Sequence, residues 1–284
     1  MNRVWKKLIF RQLEPLHIGA LNFGVISVTR LFIPGWTMWG ALVADWGYKH
    51  GAKQDIFEQA GQIFNVLTCF FPAIGRELLL PKYKNGDLYF GPYKEIELRD
   101  RITDTFVSTA IDLATSAAKE KTLHETEYIL TRDKVTHAPL SWTGLLMIQE
   151  KDLEDYLRPG LELWVGGERR YGMGRIQLVK AETVNSDELQ EIWGLNDDGG
   201  AVNPNDLSLK NYLQIPCSNE MNFEGGFEQV LLIPFHDRTK EAEMHLCLVP
   251  GTIVDLQANN SITYSLQKGI FKSIPESPSS SEDH

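Results

Sequence analysis

The residues best suited to chemistry are packed into Trp164–Arg175, which reads WVGGERRYGMGR. Gly166, Gly167, Gly172 and Gly174 bracket Arg169, Arg170 and Tyr171, and Arg175 closes the stretch. Glycine permits positive φ and close approach of a ligand to the backbone. Consecutive free N–H groups in such a loop form a nest for anions. Arginine adds bidentate contacts to phosphate, and tyrosine offers a stacking face for a base. Glu168 is the only acid in the stretch. The chemistry indicated is binding of a phosphate-rich, single-stranded ligand. No Gly-Lys-Ser/Thr follows, which excludes a Walker loop, and the residues after Gly174 (RIQLVK) read as a strand, which excludes a dinucleotide fingerprint.

Acid–base candidates are sparse. His17, in Pro15-Leu16-His17-Ile18-Gly19, is the best candidate general base, because histidine titrates near neutrality. The competing reading is a positioned histidine at the end of the first strand. His50, His124, His137, His236 and His245 have no partner at recognisable spacing. Asp112 lies on an expected strand and reads as an arginine partner. Asp197-Asp198 and Glu224 read as solvated acidic turns and not as metal ligands. Trp36, Trp39 and Trp46 read as core. No catalytic residue beyond His17 is assigned, and no metal or cofactor is expected.

The elements that must hold these groups follow from periodicity. Residues 3–13 read as a first strand and Pro15–Gly35 as a glycine-punctuated loop returning over it. Thr37–His50 has helical spacing, with Thr37 as expected N-cap. Residues 55–64 read as a second short helix and 65–71 as a strand ending at Pro72. Residues 76–104 read as a projecting hairpin or loop around the Asn85-Gly86 turn. Strands are expected at 105–113, 122–131, 140–149 and 175–180, with a short helix at 152–157. After 180, an acidic, turn-rich stretch precedes strands at 229–235, 244–249, 251–256 and 261–271. The expected class is α+β, with a βαββαβ, ferredoxin-like first half.

Composition limits the function classes. The 284 residues carry a net charge of −10, and 43% are hydrophobic, enough for a large core. The charge is divided unevenly: residues 1–180 hold 23 Lys+Arg against 21 Asp+Glu, leaving 5 and 17 for residues 181–284. The acidity therefore belongs to the last third and does not argue against nucleic acid near the loop. Cys69, Cys217 and Cys247 lack metal-ligand or disulfide-framework spacing and read as reduced, intracellular thiols. No signal-peptide pattern and no apolar run of about 18 residues is present. A cytoplasmic protein with no membrane contact is expected, with a disordered tail at 277–284.

Several motifs coincide: Pro15-Leu16-His17-Ile18-Gly19, then Ile33-Pro34-Gly35 leading into Trp39-Gly40-Ala41-Leu42, then Phe70-Phe71-Pro72, Phe106–Asp112 and Thr122–Glu125, and last the glycine loop. This layout resembles the CRISPR-associated RAMP superfamily of prokaryotes, ferredoxin-like RNA-binding proteins whose glycine-rich loop touches guide RNA. It is most similar to the type III (III-D-like) subunit that caps the foot of the effector complex and holds the 5′ handle of the crRNA. The likeness covers residues 4–180 well and 181–284 poorly, apart from Leu248–Thr252. It implies two RAMP-like domains, 1–180 and a divergent 181–276. It implies RNA contacts at Gly166, Gly167, Arg169, Arg170, Tyr171, Gly172, Gly174 and Arg175, and at Pro34 and Gly35 where the first helix begins. The family's usual serine in that turn is replaced by Trp36-Thr37, and its arginine after A-I-D is Leu113. The implied partners are crRNA, a large palm-domain subunit and backbone RAMP subunits, with no direct DNA contact. The acidic last third would face protein or solvent. The alternatives are a RAMP endoribonuclease processing precursor crRNA with His17, a backbone subunit cutting target RNA with an aspartate, and a protein scaffold without RNA. Processing nucleases of the superfamily carry the loop near the C-terminus, whereas 109 residues follow Arg175 here.

Overall fold

The computed structural model describes residues 3–149, 152–202, 208–215, 222–232, 242–254 and 263–274. Cys217, the pair His236-Asp237 and the tail 277–284 lie outside the described residues. The chain begins with β1 (Val4–Gln12), β2 (Gly19–Phe23), β3 (Ile26–Thr29), α1 (Gly35–Lys49), α2 (Gln54–Ile63) and β4 (Phe71–Ile74). A middle stretch holds β5 (Glu77–Leu78), β6 (Pro81–Lys84), β7 (Asp87–Phe90), β8 (Tyr93–Lys94), α3 (Glu95–Ile102), β9 (Thr103–Ser108), β10 (Ile111–Asp112), β11 (Ala117–Ala118) and β12 (His124–Ile129). There follow β13 (Leu140–Ile148), α4 (Asp152–Tyr156), β14 (Glu162–Trp164), β15 (Arg175–Thr183) and α5 (Ser186–Glu191). The last part is β16 (Tyr212–Gln214), β17 (Phe223–Glu224), β18 (Phe227–Leu232), β19 (Glu243–Leu248), β20 (Ile253–Val254), β21 (Thr263–Gln267) and β22 (Ile270–Ile274).

The main sheet runs β14-β15-β1-β13-β4-β5. Its inner four strands, taken with α1 and α4, give β1-α1-β4-β13-α4-β15 along the chain and the spatial order fourth-first-third-second, all antiparallel. That is the ferredoxin-like arrangement, and the fold is α+β as expected. β1 alternates from Leu8 on: Leu8, Phe10 and Gln12 are buried and Ile9 and Arg11 are not, while Trp5, three residues before Leu8, is buried on the opposite face. β13 is buried along nearly its whole length, because both faces of the sheet are covered. Helices α1 and α4 meet on one face, where Trp46 touches Tyr156 at 4.9 Å between rings. On the other, Trp193 lies 6.4 Å from Phe71.

Two insertions extend this frame into a second sheet, β2-β3-β12-β9, with β3 and β12 parallel. The expected loop over 15–35 is in fact the β2–β3 hairpin, whose alternation is too short to stand out from its glycines. The Asn85-Gly86 turn joins β6 to β7 as expected, with both residues at positive φ. The stretch 76–104 also contains α3, which charge conceals. Only Leu98 and Ile102 of α3 are buried, and Glu97 caps the helix through the Lys94 N–H at 2.9 Å. Arg99 of α3 donates to Glu127 at 2.6 Å, and Glu127 accepts from the Thr29 N–H, so this ion pair ties the helix to the hairpin.

Other expectations shift by a few residues. The strand placed at 65–71 pairs through isolated bridges at Leu67 and Phe70, and its continuous ladder starts at Phe71 and runs through Pro72. The Pro72 carbonyl accepts from Leu79 on the β5 side, so the missing proline N–H falls away from the β13 ladder. The strand placed at 105–113 breaks after Ser108. Asp112 does not pair with an arginine; it accepts from the N–H groups of Ala114 and Thr115 in its own turn. Helix α1 starts at Gly35, with Pro34 and not Thr37 at the cap.

Residues after 208 form a separate five-stranded sheet, β18-β19-β16-β22-β21. Its β21–β22 turn is driven into the first half. A Cβ on Gly35 would stand 2.4 Å from Gly269, and the Gly269 and Lys268 N–H groups donate to Leu67 and Asn65. One hydrophobic core therefore runs from Trp5 to Phe271. Cys69 and Cys247 are free and buried, and burial pushes both thiols up to about 12.

Candidate nucleic-acid interface

The glycine loop is built by the pairing of β14 with β15 and seated on Pro15–Ile18. The Gly167 N–H donates to the His17 carbonyl at 2.9 Å, and the Gly174 N–H to the Pro15 carbonyl at 2.8 Å. Gly166, Gly172 and Gly174 all have positive φ. Two of them are also places where no side chain fits: a Cβ on Gly166 would meet the His17 oxygen at 2.3 Å, and one on Gly174 the Val165 oxygen at 2.6 Å. Arg169, Arg170 and Tyr171 form a single 3₁₀ turn at the tip, all exposed.

Facing this loop is the start of α1. The two enclose a cleft of about 490 Å³ whose walls are Gly166, Gly167 and Arg169 on one side and Pro34, Thr37 and Gly40 on the other. Residues 130 positions apart in sequence thus share one cavity, because β15 lies beside β1 and carries the loop to the turn that leads into α1. The first turn of α1, which lines the cleft through Pro34, Trp36 and Thr37, has no side-chain cap and no acid, so no acid of its own turn offsets the positive end of its dipole. Gly40 adds an open floor, since nothing lies within 4 Å of a Cβ built there.

Arg30 also lines the cleft, with its charge compensated by Glu228, and was not singled out by its sequence context. Its Nη1 donates to Glu228 at 2.9 Å and to the Tyr212 hydroxyl at 3.2 Å, and its Nε to the Gly19 carbonyl. Burial pushes the Tyr212 hydroxyl well up, so it stays neutral. Among the described residues, Arg169 bonds only the Gly166 carbonyl, and Arg170 makes no hydrogen bond or ion pair. Arg175 differs from both. Glu14 at 2.9 Å and Glu162 at 3.7 Å compensate its charge at the foot of the loop. Gly35 differs as well, since it is filled by Gly269 and does not line the cleft. Tyr171 leans on Phe106 of β9, 5.4 Å between rings, and leaves the cleft to the arginines.

His17 lies beneath the loop, 5% exposed. Its Nδ1 is 2.7 Å from the Glu127 carbonyl and therefore donates, which leaves Nε2 to accept from Ser27 at 3.4 Å. The ring supports the loop from below, and its own carbonyl anchors Gly167. One signal for the missed helix residues was available: Thr37, Gly40, Ala41, Ala44 and Tyr48 recur at three- and four-residue spacing, a stripe of mostly small side chains on one helical face. Arg30 left no such trace.

No family model matches this sequence, and no curated protein does. Solved structures do. A chain in the cryo-EM structure of the Type III-B Cmr-beta bound to cognate target RNA and AMPPnP aligns with a TM-score of 0.59 at 16% identity, covering 90% of this chain and 87% of the other. A chain in the structure of the Type III-B Cmr-beta bound to cognate target RNA aligns with the same TM-score at 14% identity, covering 94% and 99%. The chain shares its fold with these Cmr-beta chains. The likeness spans both sheets, so the part after residue 180, where sequence resemblance is weak, is included in the shared architecture.

Proposed function

We propose that this protein is a non-catalytic RNA-binding subunit of a type III CRISPR interference complex, holding the 5′ handle of the crRNA and capping the foot of the complex in the prokaryotic cytoplasm. The observation that carries the reading is the cleft itself. Two loop glycines with no room for side chains, an uncapped helix start, and Arg169, whose charge no described acid compensates, converge on one open cavity with Arg30 in its wall. Such a site suits a phosphate backbone, and guide-RNA systems leave sequence reading to base pairing. The fold shared with Type III-B Cmr-beta chains supports membership of such a complex.

The main sheet with its β2-β3-β12-β9 extension and the five-stranded sheet are read as the frames of two RAMP-like units, 1–180 carrying the cleft and 181–276 facing the large palm-domain subunit or the backbone RAMP subunits. The outer side of β18–β19 supports this. Phe227, Leu231 and Met244 are exposed there on an acidic part of the chain that would repel RNA. The nuclease alternative gains nothing from the geometry, because His17 is buried and both its ring nitrogens are engaged.

The test is retention of crRNA by the affinity-purified complex. Arg169→Ala with Arg170→Ala is expected to weaken it by on the order of 1–3 kcal/mol per lost charged contact. Unchanged RNA content would overturn the assignment. So would site-specific cleavage of repeat RNA by the pure protein that His17→Ala abolishes.

A further inference from the structure

The cleft does not end at Arg169. Beyond it, along α1, lies a second hollow of about 300 Å³ that shares Ala41, Ala44 and Arg169 with the first. Its remaining lining is Tyr48, Trp164 and the pair Asp45 and Lys49. Two large aromatics stand unusually open here: Tyr48 is 73% exposed and Trp164 44%. Trp164 is on β14, an edge strand of the main sheet, and Tyr48 is braced edge-on by Phe57 at 5.6 Å. The floor between them is made of alanines, which leave a flat ring room to enter.

Asp45 is held in a particular way. Its Oδ2 accepts from the Tyr156 hydroxyl at 2.8 Å and is ion-paired with Lys49 Nζ at 2.9 Å. Oδ1 accepts nothing among the described residues. One carboxylate oxygen is therefore fixed by the half-buried Tyr156, and Asp45 lines the hollow with its other oxygen unpartnered among the described residues. With Lys49 and Arg169 beside it, the hollow still carries a net positive charge, so it does not repel an RNA backbone.

We infer that this hollow takes one unstacked nucleobase of the single-stranded RNA whose phosphates lie in the cleft, with Trp164 as its stacking face and Asp45 favouring an amino-bearing base over uracil. The inference rests on the RNA-binding reading above and adds a base-selective position to it. Aromatic stacking accepts any base. A lone acceptor does not, because adenine, cytosine and guanine present an exocyclic N–H to it, whereas the single N–H of uracil is flanked by two carbonyl oxygens that would face the carboxylate. Asp45 is thus a specificity-determining residue, and Tyr156 positions it.

The experiment is fluorescence anisotropy of the full-length protein at fixed salt with labelled hexanucleotides of adenosine, cytidine or uridine and an abasic ribose-phosphate hexamer. The adenosine and cytidine oligomers are expected to bind about tenfold tighter than uridine. Asp45→Asn keeps an oxygen for Tyr156 but turns an amide donor toward the hollow, so the preference disappears or reverses. Trp164→Ala loses about tenfold on every base-bearing oligomer and nothing on the abasic one, and Trp164→Phe restores the loss. A wild-type protein indifferent to the base overturns the inference, as does a preference that survives Asp45→Asn. If Arg169→Ala weakens all four oligomers while Trp164→Ala weakens none, the base position falls and the backbone site stands. If no oligomer binds, both fall.

Discussion

Replacing Gly166 with alanine tests whether the loop is held by close backbone approach or merely tolerates glycine. Gly166 sits at φ +82, and the added Cβ would stand 2.3 Å from the His17 oxygen and 2.8 Å from Ile18 Cδ1. The oxygen cannot retreat freely, because it also accepts from the Gly167 N–H. Gly172 is the internal control: its φ is +79, yet nothing lies within 4 Å of its Cβ position. The left-handed backbone alone costs an L-residue about 1–2 kcal/mol, which is the full expectation for Gly172→Ala. Overpacking adds about 1–3 kcal/mol, so Gly166→Ala should lose about 2–5 kcal/mol. Urea unfolding followed by tryptophan fluorescence measures both, and comparison of midpoints is valid where the slopes agree. Gly166→Ala should also weaken RNA binding, because relief of the clash lifts Gly166 and with it the carbonyl that holds Arg169. Equal destabilisation of the two variants would refute the cradle argument, since backbone conformation would then account for everything.

Three further outcomes follow from buried groups. Lys210 is buried and donates only to the Ser208 carbonyl and hydroxyl; burial, then the charge of Lys82, pushes its ammonium down to about 8. The unfolded chain takes up this proton more readily, so stability should rise with pH from about 8 to the ordinary lysine range, and the penalty is complete below pH 8. Lys210→Met should stabilise the protein at pH 7, by up to about 3 kcal/mol, and flatten that rise; a pH profile parallel to wild type would contradict the assignment. Burial acts to raise the Asp133 carboxyl, but hydrogen bonds from Arg101 and Thr136 outweigh it and hold the group well below the usual carboxylate range. Its contribution is present above about pH 4 and lost as pH falls further, and Arg101→Met should cost about 3–5 kcal/mol at pH 7 in denaturant melts by leaving that carboxylate buried alone. Gly35→Ala should destabilise the whole chain by a few kcal/mol, because its Cβ would strike backbone at Gly269, and a normal melting temperature would show that the two halves separate there.

What could be read without coordinates was local. The 2-residue alternation of β1, the helical spacing of α1 and the Asn85-Gly86 turn are each settled within a few neighbours, and all three stand in the structure. The same holds for the glycines of the loop, whose positive φ is a property of the turn itself. Helix α3 was hidden because charged residues fill it and only two of its side chains are buried; what marks its start is Glu97 accepting from the Lys94 N–H and not periodicity.

Pairings across the chain belong to the tertiary structure alone. Composition counts Arg175 with Arg169 as a loop cation, yet strand pairing sets Glu14 and Glu162 against Arg175 and leaves Arg169 to the cleft. Pro34 and Gly35 are adjacent in sequence, but one lines the cleft while the other is filled by a turn from residue 269. Arg30 has no motif around it, and only the fold carries it to the cleft wall beside Gly166. The physical reason is the same in each case. Residue type and short-range sterics decide what a segment can do, while the neighbours that neutralise, bury or expose its side chains arrive through long-range packing.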